Sequence, residues 1–219
     1  MSDNQIGTYK LVASPFHLDV RGKLSMGVLG KHLLNCADAY AAERGFDVVE
    51  QEGEHYTWVL SRLAVELDDL PSCHESFSIQ TWVENVYRLF ADRNFAILNK
   101  DDKPIGYVRS VWAMISMETR TPANLLALHG ERITNSICEK ECPIAKPGRV
   151  KVSQQEAVSE YVAKYSDLDI NGHVNSVKYI EHILDLFPLE TYKEKALKRL
   201  EIAYVAESYY GNALSFYLE

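Results

Sequence analysis

The chain has 219 residues, of which 25% are charged, and a formal net charge of −8 at neutral pH. That length can bury one large core or two small ones, and the acidic balance argues against a nucleic-acid or anionic-membrane binder, which needs a basic surface to neutralise phosphates. No apolar run approaches the ~20 residues that span a bilayer, so a soluble cytoplasmic protein without stable membrane insertion is expected.

In chain order, Leu24, Val28, Leu29, Leu33, Leu34, Ala37, Tyr40 and Ala41 recur at helical spacing in an Ala-rich segment that stops near Gly45, which predicts a buried helix. From Tyr56 the pattern becomes strand-like: YTWVLSRLAVEL, SFSIQTWVENV with Phe77, Ile79, Thr81 and Val83 on one face, LFADRNFAIL, and IGYVRSVWAMISM. Lys100 to Pro104 supply the turn between the last two. Residues 130–149, with Gly130, Pro143, Pro147, Gly148 and many charges, have the composition of a linker between an N-terminal unit (1–129) and a C-terminal one (150–219). After it come an extended piece, VKVSQQEAVSEYVAKYS, a helix ended by Pro188, and strand-like LKRLEIAYVAESYYGNALSFYL. Cys36, Cys73, Cys138 and Cys142 are too few and too scattered for a disulfide framework, and the Cys138/Cys142 pair lacks a second ligand pair at zinc spacing. They read as buried or free thiols.

The two halves repeat each other. DVRGKLS from Asp19 lies on DINGHVN from Asp169 at an offset of 150, and LSRLAV from Leu60 lies on LKRLEI from Leu197 at an offset of 137. Each half is therefore an extended segment, a helix and antiparallel strands, and two such units can join their sheets edge to edge. The offsets predict helices related by a pseudo-twofold axis, each across its own half of a shared sheet. At the second offset Glu219 corresponds to Trp82, so the second half has no counterpart of FADRNFAIL or the long strand after it. The expectation is that the natural chain continues for roughly 25–35 residues, about two strands and a turn, or that a partner chain supplies those strands.

The run SDLDINGHVNSVKYI, Ser166 to Ile180, resembles the S-D-L-D-V-N-x-H-V-N-N-V-K-Y-I motif of acyl-acyl carrier protein (acyl-ACP) thioesterases, and IAYVAES resembles their L-E-Y-x-x-E run. The likeness covers nearly the whole chain, including RLAVEL and QTWVENVYRLFADRNF. It implies an α+β fold, a tandem (double) hot-dog of two helix-on-sheet repeats, with catalytic positions at Asp169, Asn171, His173 and Glu207. The glutamate's neighbour is Ser208, so the cysteine nucleophile of one older picture of the family is excluded there.

Two other readings of the motif compete with this one. D-x-D-x-N-G from Asp167 matches the first half of an EF-hand loop, but its twelfth position, a bidentate glutamate in such loops, is Lys178. Asp, Asn and Gly are also ordinary turn formers, and Asn175 or Ser176 could simply cap a helix. Against a purely structural turn, the first repeat keeps Asp19 and Gly22 yet has Arg21 for Asn171, Lys23 for His173 and Leu70 for Glu207.

For thioester hydrolysis the second set makes chemical sense. The helix start near His173 offers N–H groups to an oxyanion, Glu207 or Asp169 activates water or attacks directly, and His173 shuttles a proton while Asn171 orients. Glu207 is then expected within roughly 8 Å of His173, close enough for one bridging water. The first repeat would bind the fatty acyl chain, with Trp58, Trp82 and Trp112 as lining candidates beside their plainer role as core aromatics. Lys193, Lys195, Lys198 and Arg199 form the densest basic cluster and could dock an acidic acyl carrier protein. The resemblance implies no cofactor beyond the substrate's own phosphopantetheine and no metal, and is compatible with a homodimer. An acyl-CoA thioesterase or dehydratase on the same fold, or a non-catalytic acyl-binding module, remain the alternatives.

Overall fold

The first helix, α1 (Met26–Glu43), starts where the Ser25 side chain accepts the Val28 N–H at 3.3 Å and stops where Gly45 turns the chain at φ +67°. Its inward stripe of Leu29, Leu33, Cys36, Ala37 and Tyr40 is buried against an antiparallel sheet. The computed structural model describes residues 5–51, 53–148 and 156–218. Residues 150–155 of the expected extended piece lie outside them.

The sheet contains β1 (Gly7–Val12), β2 (Val49–Gln51), β3 (Glu54–Leu67), β4 (Ser76–Val86), β5 (Ala91–Leu98) and β6 (Pro104–Ser116), in the order β1-β4-β5-β6-β3-β2. The four expected strands are β3 to β6. Phe77, Ile79, Thr81 and Val83 of β4 are all buried, as their alternation predicts. Asn99 closes the β5–β6 turn by accepting the N–H groups of Asp101 and Lys103 at 3.0 Å.

Residues 130–149 do more than connect the halves. Two short helices, α2 (Leu125–His129) and α3 (Glu131–Thr134), are followed by a stretch whose Cys138 N–H bonds to the Val83 carbonyl at 2.8 Å. Cys138, Cys142 and Ile144 then pack on Trp82, Ala96 and Leu98, on the sheet face away from α1. All four cysteines are free, and only Cys73 is exposed.

The second repeat contributes β7 (Ser159–Val162), α4 (Ser176–Leu184), α5 (Leu189–Glu194), β8 (Arg199–Ala203) and β9 (Ala213–Phe216). Its second helix was not foreseen: α4 stops at Leu184, and Pro188 caps the start of α5 rather than ending α4. Strand β8 joins the first repeat's sheet by pairing with β3, while β7 and β9 pair with each other. The registers carry the repeat into space. Ala64 pairs with Glu201, its own counterpart at the offset of 137, as an antiparallel pair must where a twofold axis passes between the strands. Val162 pairs with Ala213 just as their counterparts Val12 and Ser76 pair in the first repeat. In the first repeat β5 and β6 lie between β4 and β3; among the described residues no strand lies between β9 and β8. No helix among the described residues is long and apolar enough to cross a membrane.

Candidate active site

The motif turn is built by Asp169 and Gly172. Asp169 Oδ1 accepts the backbone N–H groups of Asn171 at 2.8 Å and His173 at 3.2 Å, and Gly172 takes φ +78°, a conformation that suits glycine. The first repeat repeats this geometry: Asp19 Oδ1 accepts from Arg21 and Lys23 at 2.9 and 3.2 Å, with Gly22 at φ +71°. Asp and Gly thus make the turn in both halves, and the differences lie in what the turn presents. In the first half Arg21 folds back onto Asp19 at 2.9 Å, Lys23 pairs with Asp69 at 2.8 Å, and Leu70 is buried.

In the second half the turn brings a histidine beside a glutamate. His173 Nδ1 lies 3.6 Å from Glu207 Oε1, well inside the expected separation, and the histidine ring stands edge-on to Tyr209 at 5.0 Å. Tyr209 donates its hydroxyl to Glu207 Oε2 at 3.3 Å, and Arg120, from the loop after β6, pairs with Glu207 Oε1. Asn171 is exposed and lines the same cavity as Asp169, His173 and Glu207.

The helix starts slightly further along than expected, at Ser176. The N–H groups of His173, Val174 and Asn175 are taken by Asp169, the Ser208 carbonyl and the Asp167 carbonyl, and that of Val177 by the Asn175 side chain at 2.9 Å. Among the described residues nothing accepts the Ser176 N–H, and Ser176 lines the cavity. Asp167, which opens the calcium-like run, is buried and bonded to Tyr161 Oη, the Lys164 N–H and His182 Nε2 at 2.8, 2.7 and 3.2 Å. These contacts hold its carboxyl below the usual carboxylate range against the opposing effect of burial, and leave it no role in a metal loop. Among the described residues no cluster of three or more His, Cys, Asp or Glu is placed to hold a metal ion.

One cavity of about 290 Å³ is lined by this site and by the first repeat's core: Leu34, Ala37 and Ala41 of α1, with Phe46, Val83 and Ile133 on its buried wall. Trp58 and Trp112 line it. Trp82 does not, and that expectation is corrected: it faces the other side of the sheet, fully buried, with its indole N–H on the Lys140 carbonyl at 2.8 Å. Strand alternation explains this, since Thr81 and Val83 point toward α1 and the residue between them must point away. Of the basic cluster, Lys193 and Lys195 are exposed, Lys198 donates to the Asp68 carbonyl at 3.0 Å, and Arg199 is committed to Glu66 and Glu201 at the β3–β8 seam. Arg199 is therefore a structural cation. The cluster adjoins the first repeat's turn, where Arg21 Nη1 reaches the Lys195 carbonyl at 3.5 Å.

The profile of the acyl-ACP thioesterase N-terminal domain matches residues 9–127, and that of the C-terminal domain residues 150–219. The chain belongs to the acyl-ACP thioesterase family. An acyl-ACP thioesterase from Bacteroides thetaiotaomicron, solved by crystallography, superposes with a TM-score of 0.91 at 61% identity, covering 98% of this chain and 87% of that one. The 12:0-ACP thioesterase from Umbellularia californica shares the fold at a TM-score of 0.77 and 14% identity, over 95% of this chain and 80% of that one. The chloroplastic palmitoyl-acyl carrier protein thioesterase of Gossypium hirsutum is 27% identical over 180 residues, 79% of this chain and 44% of the relative. The chain spans less than half the length of that curated relative. The chain has the double hot-dog fold of this family.

Proposed function

We propose that the protein hydrolyses fatty acyl-ACP in the cytoplasm, releasing the fatty acid and the carrier thiol. One observation carries this reading: a cavity with a largely apolar buried wall opens onto His173, Glu207, Asp169 and Asn171, whereas Asp19, Arg21, Lys23 and Leu70 of the first repeat do not line it and its Arg21 and Lys23 are taken up by Asp19 and Asp69. A water between Glu207 and His173 gives a proton to the carboxylate as its oxygen attacks the thioester carbon. The Ser176 N–H at the start of α4 stabilises the oxyanion. The C–S bond then breaks, and the proton taken up by Glu207 passes through His173, 3.6 Å away, to the departing sulfur, which needs little help because a thiol's reference pKa is about 8.5. Asn171 orients the water. Direct attack by a carboxylate is the rival step, and it has its own support: among the described residues Asp169 Oδ2 makes no hydrogen bond. Single turnover in heavy-oxygen water supports direct attack where the label appears in the enzyme, as it does when the mixed anhydride is opened at the enzyme's carboxyl carbon.

Carrier selection comes from Lys193 and Lys195, the exposed members of the basic cluster without a side-chain partner among the described residues, which face an acidic carrier across solvent. Reversing both charges should raise KM for acyl-ACP and leave acyl-CoA unaffected. The decisive experiment is a panel of acyl-ACP and acyl-CoA substrates with His173→Ala, Glu207→Ala and Lys23→Ala. The first two should lose at least about 100-fold in kcat with melting temperatures near wild type, and Lys23→Ala should lose little. Near-normal turnover in both site variants would end this assignment. Hydrolysis of acyl-CoA alone would move the protein to the coenzyme A alternative, and no hydrolysis at all to an acyl-binding module.

A further inference from the structure

The two repeats differ at one more place beside the cavity. Tyr204 lines it together with Ser176 and donates its hydroxyl to the Ser176 carbonyl at 2.9 Å. At the offset of 137 its counterpart is Leu67, which is buried and has no hydroxyl to give. The phenol is itself anchored: its backbone N–H bonds to the Ser61 carbonyl of β3 at 2.9 Å, and its ring meets Tyr179 edge-on at 6.1 Å. Burial raises its pKa above the ordinary range, so it stays a neutral donor.

The backbone on both sides of the Ser176 N–H is tied down. The Asn175 N–H goes to the Asp167 carbonyl at 2.8 Å, the Val177 N–H to the Asn175 side chain at 2.9 Å, and the Lys178 N–H to the Asn175 carbonyl at 2.8 Å. Helix ends fray, and a first residue that frays swings its N–H off the target. A buried hydroxyl that merely needed an acceptor would be satisfied by any carbonyl; this one takes the carbonyl of the residue whose own N–H faces the cavity. Tyr204 also lies three residues before Glu207, so one segment of chain sets both groups. Resting on the reading that an oxyanion forms at this N–H, we propose that Tyr204 is a positioning residue whose hydroxyl pins Ser176 and keeps its N–H aimed at the thioester oxygen.

The test is Tyr204→Phe in the full chain, assayed with the acyl-ACP that the wild type turns over fastest and with two pantetheine analogues of the same acyl chain. One analogue is a difluoromethylene ketone, which hydrates to a tetrahedral adduct and sheds a proton to give an oxyanion; the other is an amide, which stays planar. The variant should lose at least about tenfold in kcat with KM changed less than about twofold, and its melting temperature should stay within about 4 °C of wild type. Its affinity for the ketone should fall by the same factor as kcat, and its affinity for the amide by no more than about twofold. Tyr204→Leu, which installs the residue of the first repeat, should show the same split. Equal losses for ketone and amide would make the hydroxyl a structural one and overturn the proposal, as would an unchanged kcat. The wild type itself should bind the ketone at least about tenfold tighter than the amide. Without that preference, or without hydrolysis, the oxyanion reading falls and this proposal with it. A wild-type preference that Tyr204→Phe keeps in full overturns this proposal alone.

Discussion

Glu207 is where the two repeats meet at the level of single side chains: its carboxylate comes from the second half and the guanidinium that holds it, Arg120, from the first. Arg120 sits at φ +58°, a left-handed conformation that costs a non-glycine residue about 1 kcal/mol. Its ion pair with Glu207 is about one third exposed on both sides, so screening leaves it worth ~1 kcal/mol at most. Those two terms nearly cancel, which separates function from stability. Arg120→Gly relieves the backbone and releases Glu207, and should leave the melting temperature within a few degrees of wild type while lowering kcat about tenfold at little-changed KM, as expected when a positioning contact is lost. An unchanged kcat would show that Tyr209 and His173 orient the carboxylate without help. Sequence carried part of this site. The contrast between Lys23 and His173, and between Leu70 and Glu207, was visible because one repeat serves as the control for the other. Arg120 was not, since a turn residue 87 positions away in the other repeat leaves no spacing signal. Tyr204 did leave one, because at the offset of 137 its counterpart is Leu67.

Among the elements, the crossing of α1 and α4 depends on two missing side chains. A Cβ on Gly30 would lie 3.0 Å from Val177 Cγ2 and one on Gly27 within reach of the Glu181 carboxylate. Glu181 ends a flexible side chain and can swing away, whereas Val177 is buried in the helix interface and cannot. Gly30→Leu should therefore destabilise the fold by roughly 2–3 kcal/mol through overpacking. Gly27→Ala should stay within ~1 kcal/mol of wild type, because the gain in helix propensity offsets the displaced carboxylate. Chemical denaturation reads both, and equal losses would place the helix contact elsewhere. The same physics explains which elements were legible. The strands β3 to β6 and the helix α1 bury one regular face and so write a period into the sequence. The stretch 138–144 buries Cys138, Cys142 and Ile144 without regular structure, stapled by bonds such as Cys138 N–H to the Val83 carbonyl, and its one proline and the charges of Glu139, Lys140 and Glu141 write no period into the sequence. Trp82 was misplaced for a related reason: composition marks it as a pocket aromatic, and only the strand's phase, fixed by Phe77, Ile79 and Val83, puts it on the far face.

For the whole molecule, the first repeat's core contains two histidines whose burial opposes protonation. His129 is 2% exposed and stacks on Trp58 at 5.8 Å with the rings nearly parallel, and desolvation lowers its pKa to about 4; His32 is lowered too, by desolvation and by the nearby His17. An unfolded chain takes up these protons near pH 6.5, so between about pH 6.5 and 4 the unfolded state binds more protons than the folded one. Stability is then full above that window and falls as the pH drops through it. For His129 alone the loss approaches ~3 kcal/mol, at about 1.4 kcal/mol per pH unit, a sizeable share of a domain's typical margin of 5–15 kcal/mol. Buried or paired carboxyls such as Asp167 and Glu84 are held below their ordinary range and lose their contribution only at lower pH, so they do not blur the window. Because His129 stacks on a tryptophan that lines the cavity, the acid transition should reach the cavity first. The melting temperature should fall by several degrees between pH 7 and pH 4.5, with Trp58 fluorescence changing before global unfolding. His129→Phe, which keeps the stack and cannot be protonated, should remove most of that fall. A variant that lost as much stability as the wild type over this interval would assign the acid sensitivity to another group.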